Sequence, residues 1–181
     1  MNETAAKPRI FGICGRSGQG KTTLIEALLP WFRARGWVVN VVKHSHHPIE
    51  LEPPQKDSSR FRAAGAGEVL IASPYRYAIL RELHDMPEPP LAELIARLAP
   101  ADLTLVEGFT REPLPRLEVV RPVAAKDPLY LTDALTIATI VAIATDDALR
   151  LRDAPAIAIL PLDRIALIGE FICKTVGLSL P

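Results

Sequence analysis

Gly15-Arg16-Ser17-Gly18-Gln19-Gly20-Lys21-Thr22 places glycine, lysine and a hydroxyl at every fixed position of the pattern G-x-x-x-x-G-K-[ST]. A phosphate group needs several donors converging on one anion. Glycines at Gly15, Gly18 and Gly20 let backbone amides turn inward with no side chain in the way. A helix beginning near Gly20 would point its unpaired amides and the positive end of its dipole at the same anion, past Ser17 and Gln19. Lys21 would reach the β and γ phosphates as a point charge, Thr22 would offer its hydroxyl to Mg²⁺, and Thr23 stands within reach of the α phosphate. Arg16 could touch phosphate or a neighbouring subunit, or be a solvated surface arginine.

Such a site needs a carboxylate at the end of a neighbouring strand to hold the water shell of the magnesium ion. Glu107 follows the apolar run Leu103-Thr104-Leu105-Val106, and Gly108 beside it would permit a tight approach of backbone to ligand. Asp57 is a second candidate for the metal and for catalysis, with helix capping as its rival role. Asp146, at the end of another strand, could accept from the N–H groups of a guanine edge. The Asn-Lys-x-Asp guanine signature is absent, so the motif alone leaves the base open.

Lys43-His44-Ser45-His46-His47 packs three of the four histidines of the chain into four residues. Imidazoles this close could bind a transition metal, contact an anionic ligand or partner, or decorate a solvated loop.

The elements that must position these groups read as alternating strands and helices. Arg9 to Cys14 is a short apolar run that suits a strand buried on both faces, and the glycine loop follows it directly. Leu24, Ile25, Leu28, Trp31 and Phe32 recur at helical spacing up to Gly36, with Pro30 expected to kink the helix. Trp37 to Val42 reads as a second strand, completing one right-handed crossover. A long loop is expected over Lys43–Lys56, then a helix capped by Asp57 or Ser58 through Ala64 and a strand over Glu68–Ala72. Pro89 and Pro90 open a helix bearing Leu91, Leu94, Ile95 and Leu98. Further strands are expected at Leu103–Val106, at Arg116–Arg121 near an edge and stopped by Pro122, at Ile137–Ala144, and at Ala156–Leu160. Asp163 is placed to cap a closing helix. The predicted fold is α/β, a mostly parallel sheet with helices on both faces, of the P-loop NTPase type.

With 181 residues the chain suits a single nucleotide-binding domain over 9–181, after a short frayed end at 1–8. Lys plus Arg and Asp plus Glu both number 21, which gives no global field to attract nucleic acid or an anionic membrane. The longest apolar run, Leu135 to Ala144, is half the length that spans a bilayer. The two cysteines, Cys14 and Cys173, have no metal or redox spacing, which suits the reducing cytoplasm.

The combination of the loop Gly15–Thr23, the Lys43–His47 run, Lys56-Asp57-Ser58 leading to Ala63-Ala64-Gly65-Ala66, Leu105-Val106-Glu107-Gly108-Phe109 and Ala142–Asp146 resembles the molybdopterin-guanine dinucleotide biosynthesis adaptor proteins of the MobB type. The resemblance covers most of residues 9–150. It implies a cytoplasmic homodimer that binds GTP and Mg²⁺ and has weak GTPase activity. Such a protein assists the molybdenum cofactor guanylyltransferase in joining GMP to molybdopterin rather than catalysing the joining, with molybdopterin as a further candidate ligand. Two rival functions remain at this level: an ATP-dependent small-molecule kinase using Arg60 with Arg62 or Arg76 with Arg81 as a phosphate lid, and a metal-delivery GTPase using the histidines.

Overall fold

The computed structural model describes residues 8–45, 47–121, 126–151 and 153–180. The described chain divides into two compact units, one drawn from Met1–His44 with Leu91–Pro181 and the other from Ser45–Pro90. The expected frayed end, His46 and the strand stop at Pro122 fall outside the described residues, apart from Pro8.

The larger unit is built on a six-stranded sheet. In chain order its strands are β1 (Ile10–Cys14), β2 (Val39–Lys43), β5 (Leu103–Glu107), β6 (Arg116–Val120), β7 (Ile140–Thr145) and β8 (Ala158–Pro161). They lie in the order β2-β5-β1-β6-β7-β8, and every pairing is parallel. Parallel neighbours require crossovers, so both faces must be covered. On one face α1 (Lys21–Arg33) and α6 (Ile165–Val176) pack Leu24, Ile25, Leu28, Phe32, Ile168 and Ile172 against Phe11, Ile13, Leu105, Leu117 and Val119. On the other, α3 (Leu91–Ala96) lays Leu91 on Val106 and Leu114, and α4 (Leu129–Thr132) lays Leu129 and Tyr130 beside Cys14, Val120 and Ile143. Alternate residues of each strand face opposite layers, which is why Ile13 joins one core and Cys14 the other.

Two close approaches fix the layers. A Cβ on Gly169 of α6 would lie 2.5 Å from the Trp31 ring of α1, and one on Gly12 of β1 would lie 2.7 Å from Leu114 Cδ1. The Arg35 guanidinium caps the Trp31 ring from 3.7 Å. Helix α1 runs through Pro30 as one element, and the chain turns away at Gly36 with φ +79°.

Several sequence expectations need correction. The strand at Arg116–Val120 lies between β1 and β7 in the sheet interior, not near an edge, and all five residues are buried. Its charged residues are answered internally: Arg116 donates to the carbonyls of Phe109 and Glu112, and Glu118 accepts from the amides of Leu129 and Tyr130. The strand expected from Ile137 starts at Ile140, because Asp133 accepts from the amides of Leu135 and Thr136 and caps a helical turn, α5 (Ala134–Ile137). Asp163 does not cap α6: the cap position is Arg164, with no side-chain capping bond.

The smaller unit contains α2 (Asp57–Ala63) and an antiparallel hairpin of β3 (Glu68–Ala72) with β4 (Tyr77–Arg81). Asp57 occupies the first turn of α2, where a carboxylate favours the dipole, while the cap position is Lys56 without a capping bond and Ser58 donates to Glu52. Strand β4 is an element the sequence reading did not assign. Its turn closes through Ser73, whose amide donates to the Arg76 carbonyl and whose hydroxyl accepts from the amides of Tyr75 and Arg76. Arg62 holds this unit together by ion pairs to Glu82 and Glu52. Among the described residues no helix is long and apolar enough to cross a membrane.

Candidate functional site

The glycine loop leaves the C-terminal end of β1 and enters α1, as the strand-to-helix handover requires. Gly15, Gly18 and Gly20 have φ of +134°, +78° and +97°. These backbone conformations disfavour any residue with a Cβ. At Gly15 space forbids one as well, since a Cβ would lie 2.5 Å from the Val119 carbonyl oxygen of β6. The loop is therefore bent tightly over the β6 strand end. Gly20 is the N-terminal boundary residue of α1 and carries no side-chain cap, so the first amides of the helix are left to whatever lies in front of them. Lys21 Nζ donates to the Arg16 carbonyl at 3.0 Å, arching its charge back over the loop.

Thr22, in the first turn of α1, meets Glu107, at the end of β5. The Thr22 hydroxyl stands 3.3 and 3.5 Å from the two carboxylate oxygens of Glu107. Strand β5 lies beside β1, so the register that sets Glu107 level with Ile13 carries its side chain to the start of α1. Glu107 is 8% exposed and also faces Lys43 Nζ at 3.6 Å, while its carbonyl accepts from the His44 amide at 2.9 Å. A hydroxyl and a strand-end carboxylate this close form an oxygen-rich corner of the kind hard divalent cations take.

Gly108, expected to admit a ligand, instead admits a neighbouring chain segment: with φ +90°, its Cβ would lie 2.8 Å from His44 Cβ. The His44 ring lies against Phe109 with centroids 4.5 Å apart. His44 is thus held at the β2–β5 strand ends beside Glu107. His47 belongs to the smaller unit, where its amide donates to the Ser45 hydroxyl at 3.1 Å, and His46 lies outside the described residues. Among the described residues no three His, Cys, Asp or Glu side chains form a metal-binding cluster. Asp57, also in the smaller unit, faces Arg60 at 3.6 Å.

Asp146 follows β7 and lines a groove with Gly20, Thr23, Leu162 and Asp163. Its carboxylate faces Arg121 Nε at 3.7 Å. Arg121 was not singled out by the sequence, yet its guanidinium lies 3.5 Å from where a Cβ on Gly20 would be, and its amide donates to the buried Gln19 side chain. The signal lay in its position, a cation directly after a buried strand beside the loop. Arg16 is anchored rather than free, with Nε donating to the Asp127 carbonyl at 3.0 Å and Nη2 to the Thr132 hydroxyl at 2.6 Å.

Two titratable groups under the loop are perturbed. Burial, reinforced by Glu118, pushes the Cys14 thiol up to about 12, so it is a packed, unionised group. Burial also raises the Glu118 carboxyl above its ordinary range, against the pull of the Leu129 and Tyr130 amides.

A parallel sheet with helices on both faces and a glycine loop joining its central β1 to α1 defines the chain as an α/β protein of the P-loop NTPase type. Residues 10–146 match the family Molybdopterin guanine dinucleotide synthesis protein B, MobB, and the chain belongs to that family. It is 37% identical over 166 residues to the molybdopterin-guanine dinucleotide biosynthesis adapter protein of Haemophilus influenzae, covering 90% of this chain and 86% of that one. The adapter protein of the same name from Escherichia coli is 34% identical, with 87% of each chain covered. A crystal structure of molybdopterin-guanine biosynthesis protein B superposes with a TM-score of 0.69 at 29% identity, covering 91% of this chain and 98% of that one. Bacillus subtilis MobB shares the fold, with a TM-score of 0.70 at 21% identity over 93% of this chain and 98% of that one.

Proposed function

We propose that the chain is a GTP-binding adaptor with weak intrinsic GTPase activity, acting in the cytoplasm as a homodimer to assist a molybdenum cofactor guanylyltransferase in attaching GMP to molybdopterin. The observation that carries the nucleotide site is the meeting of Thr22 with Glu107 at the mouth of the glycine loop. The residues present fit the ligand: Gly15, Gly18 and Gly20 form the cradle, with Ser17, Gln19 and Thr23 beside them, and Lys21 answers the β and γ phosphates. Thr22 and Glu107 would hold Mg²⁺, the carboxylate directly or through water, and the ion when bound neutralises phosphate charge. Asp146, in its groove with Thr23 and Leu162, would accept from the guanine N–H groups. Lys43 and His44, beside Glu107, would contact the terminal phosphate or an anionic partner.

The nucleotide-binding domain is read as one domain, with Ser45–Pro90 inserted between two of its strands. Arg60, Arg62 and Arg81 are each engaged by an acid of the same unit, which disfavours a free arginine lid and hence a kinase. The test is dinucleotide formation by purified guanylyltransferase from GTP and molybdopterin. Adding this chain should raise the yield, and the chain alone should make none. An unchanged yield, or a calorimetric preference for ATP over GTP, would overturn the reading.

A further inference from the structure

We propose that a cavity between the glycine loop and α4 binds the phosphate group of a small phosphomonoester distinct from the nucleotide at the loop, an inference that rests on the loop itself taking the nucleotide.

The cavity is lined by four cationic side chains, Arg16, Arg121, Lys126 and Arg150, over a floor that includes Val119 and Val120 of β6. It opens on the α4 face of the sheet, with Pro128, Tyr130 and Leu131 forming its wall. The groove holding Asp146, Thr23 and Leu162 is lined instead by Leu24 and Ala27 of α1 and Ile165 of α6, on the opposite face, and Arg121 is the lining residue the two share. One ligand seated along Gly20 and Asp146 therefore leaves the α4 cavity free.

Four cations face two lining acids, Glu118 and Asp127. Arg16 is oriented by the Asp127 carbonyl and the Thr132 hydroxyl, with the carboxyls of Glu118 and Asp133 near its charge. Arg121 and Arg150 reach Asp146 and Asp147, neither of which lines the cavity. Of the two acids that do line it, Glu118 has both oxygens bound to the amides of Leu129 and Tyr130, and burial raises its pKa and favours its neutral form. Arginine forks and a lysine converging on one concavity suit a dianionic phosphate better than a singly charged carboxylate. Beside them, Pro128 and Leu131 of the wall offer an apolar contact to an organic body attached to it.

The experiment is calorimetric titration of phenyl phosphate into the full chain, into Lys21→Ala, and into the double variant Lys126→Ala with Arg150→Ala. The last two replaced residues are exposed, and melting temperatures verify folding. Saturable binding that survives Lys21→Ala and weakens about tenfold or more in the double variant is expected, given two charge-assisted contacts removed. Binding that is absent, that ignores the double variant, or that disappears in Lys21→Ala alone would overturn the proposal, the last because the phosphate would then be going to the loop. A parallel GTP titration separates the two readings: failure of GTP to bind the unaltered chain sinks the nucleotide site and leaves the phenyl phosphate comparison standing.

Discussion

Thr22 Oγ1 lies 3.3 Å from Glu107 Oε2 although 85 residues separate them in the chain. The pairing of β1 with β5 brings about the meeting, and it joins the start of α1 to the carboxylate that would hold the metal shell. Glu107→Gln keeps the size and one acceptor but removes the charge. GTP affinity measured without magnesium should stay within about twofold, while magnesium-dependent hydrolysis slows about tenfold or more. Unchanged hydrolysis would transfer the role to Asp57 or another acid.

Asp146 is held near the groove by Arg121, at 3.7 Å. A carboxylate that accepts from two guanine N–H groups contributes charge-assisted bonds of roughly 1.5–3 kcal/mol, so Asp146→Asn should lower the GTP-over-ATP preference about tenfold to a hundredfold. Competition of the two nucleotides against a fluorescent analogue measures it. An unaltered preference would remove Asp146 from base recognition.

Cys14 offers a stability test with a defined sign. Its folded pKa stands at about 12 against an ordinary 9.0, so the folded chain holds the proton more tightly than the unfolded chain. The contribution is intact below pH 9.0 and is lost as pH rises above it, by up to about 1.4 kcal/mol per pH unit. Urea unfolding of the unaltered chain should therefore lose stability faster than Cys14→Ala between pH 9.0 and 10.5, the upper limit being roughly where lysine titration begins to intrude. Parallel slopes would contradict the buried thiol.

Gly169 sits where α6 crosses α1, and a Cβ there would lie 2.5 Å from the Trp31 ring. Gly169→Ala gains about 1 kcal/mol of helix propensity but overpacks an aromatic contact, a cost of about 1–3 kcal/mol. The net loss should be about 1 kcal/mol in urea unfolding. A stabilised variant would show that the helices can separate at little cost.

The loop, its flanking strand and helix, and Glu107 were legible because each is a local pattern: glycines at fixed spacing, apolar residues at helical spacing, an acid ending an apolar run. Strand β6 reads as near an edge because Leu117 and Val119 alternate only imperfectly with Glu118 and Val120 and Pro122 follows, whereas its interior place depends on how Arg116 and Glu118 are answered. Their partners, the carbonyls of Phe109 and Glu112 and the amides of Leu129 and Tyr130, become visible only once the chain is folded. Arg121 went unnoticed for the same reason, since its closeness to Gly20 and Asp146 depends on which strand lies beside β1. Strand β4 had a local signal, the Ser73-Pro74 turn before alternating Tyr77 and Ile79, in a stretch to which the sequence reading assigned no element.

The central claim is that Lys21 and the glycine loop bind GTP, and calorimetric titration of GTP with magnesium into the unaltered chain and into Lys21→Ala tests it most directly. Saturable binding to the first, weakened about a hundredfold or more in the second at an unchanged melting temperature, is the expected result, because the variant loses a phosphate contact and no core packing. Equal binding by both proteins would contradict it.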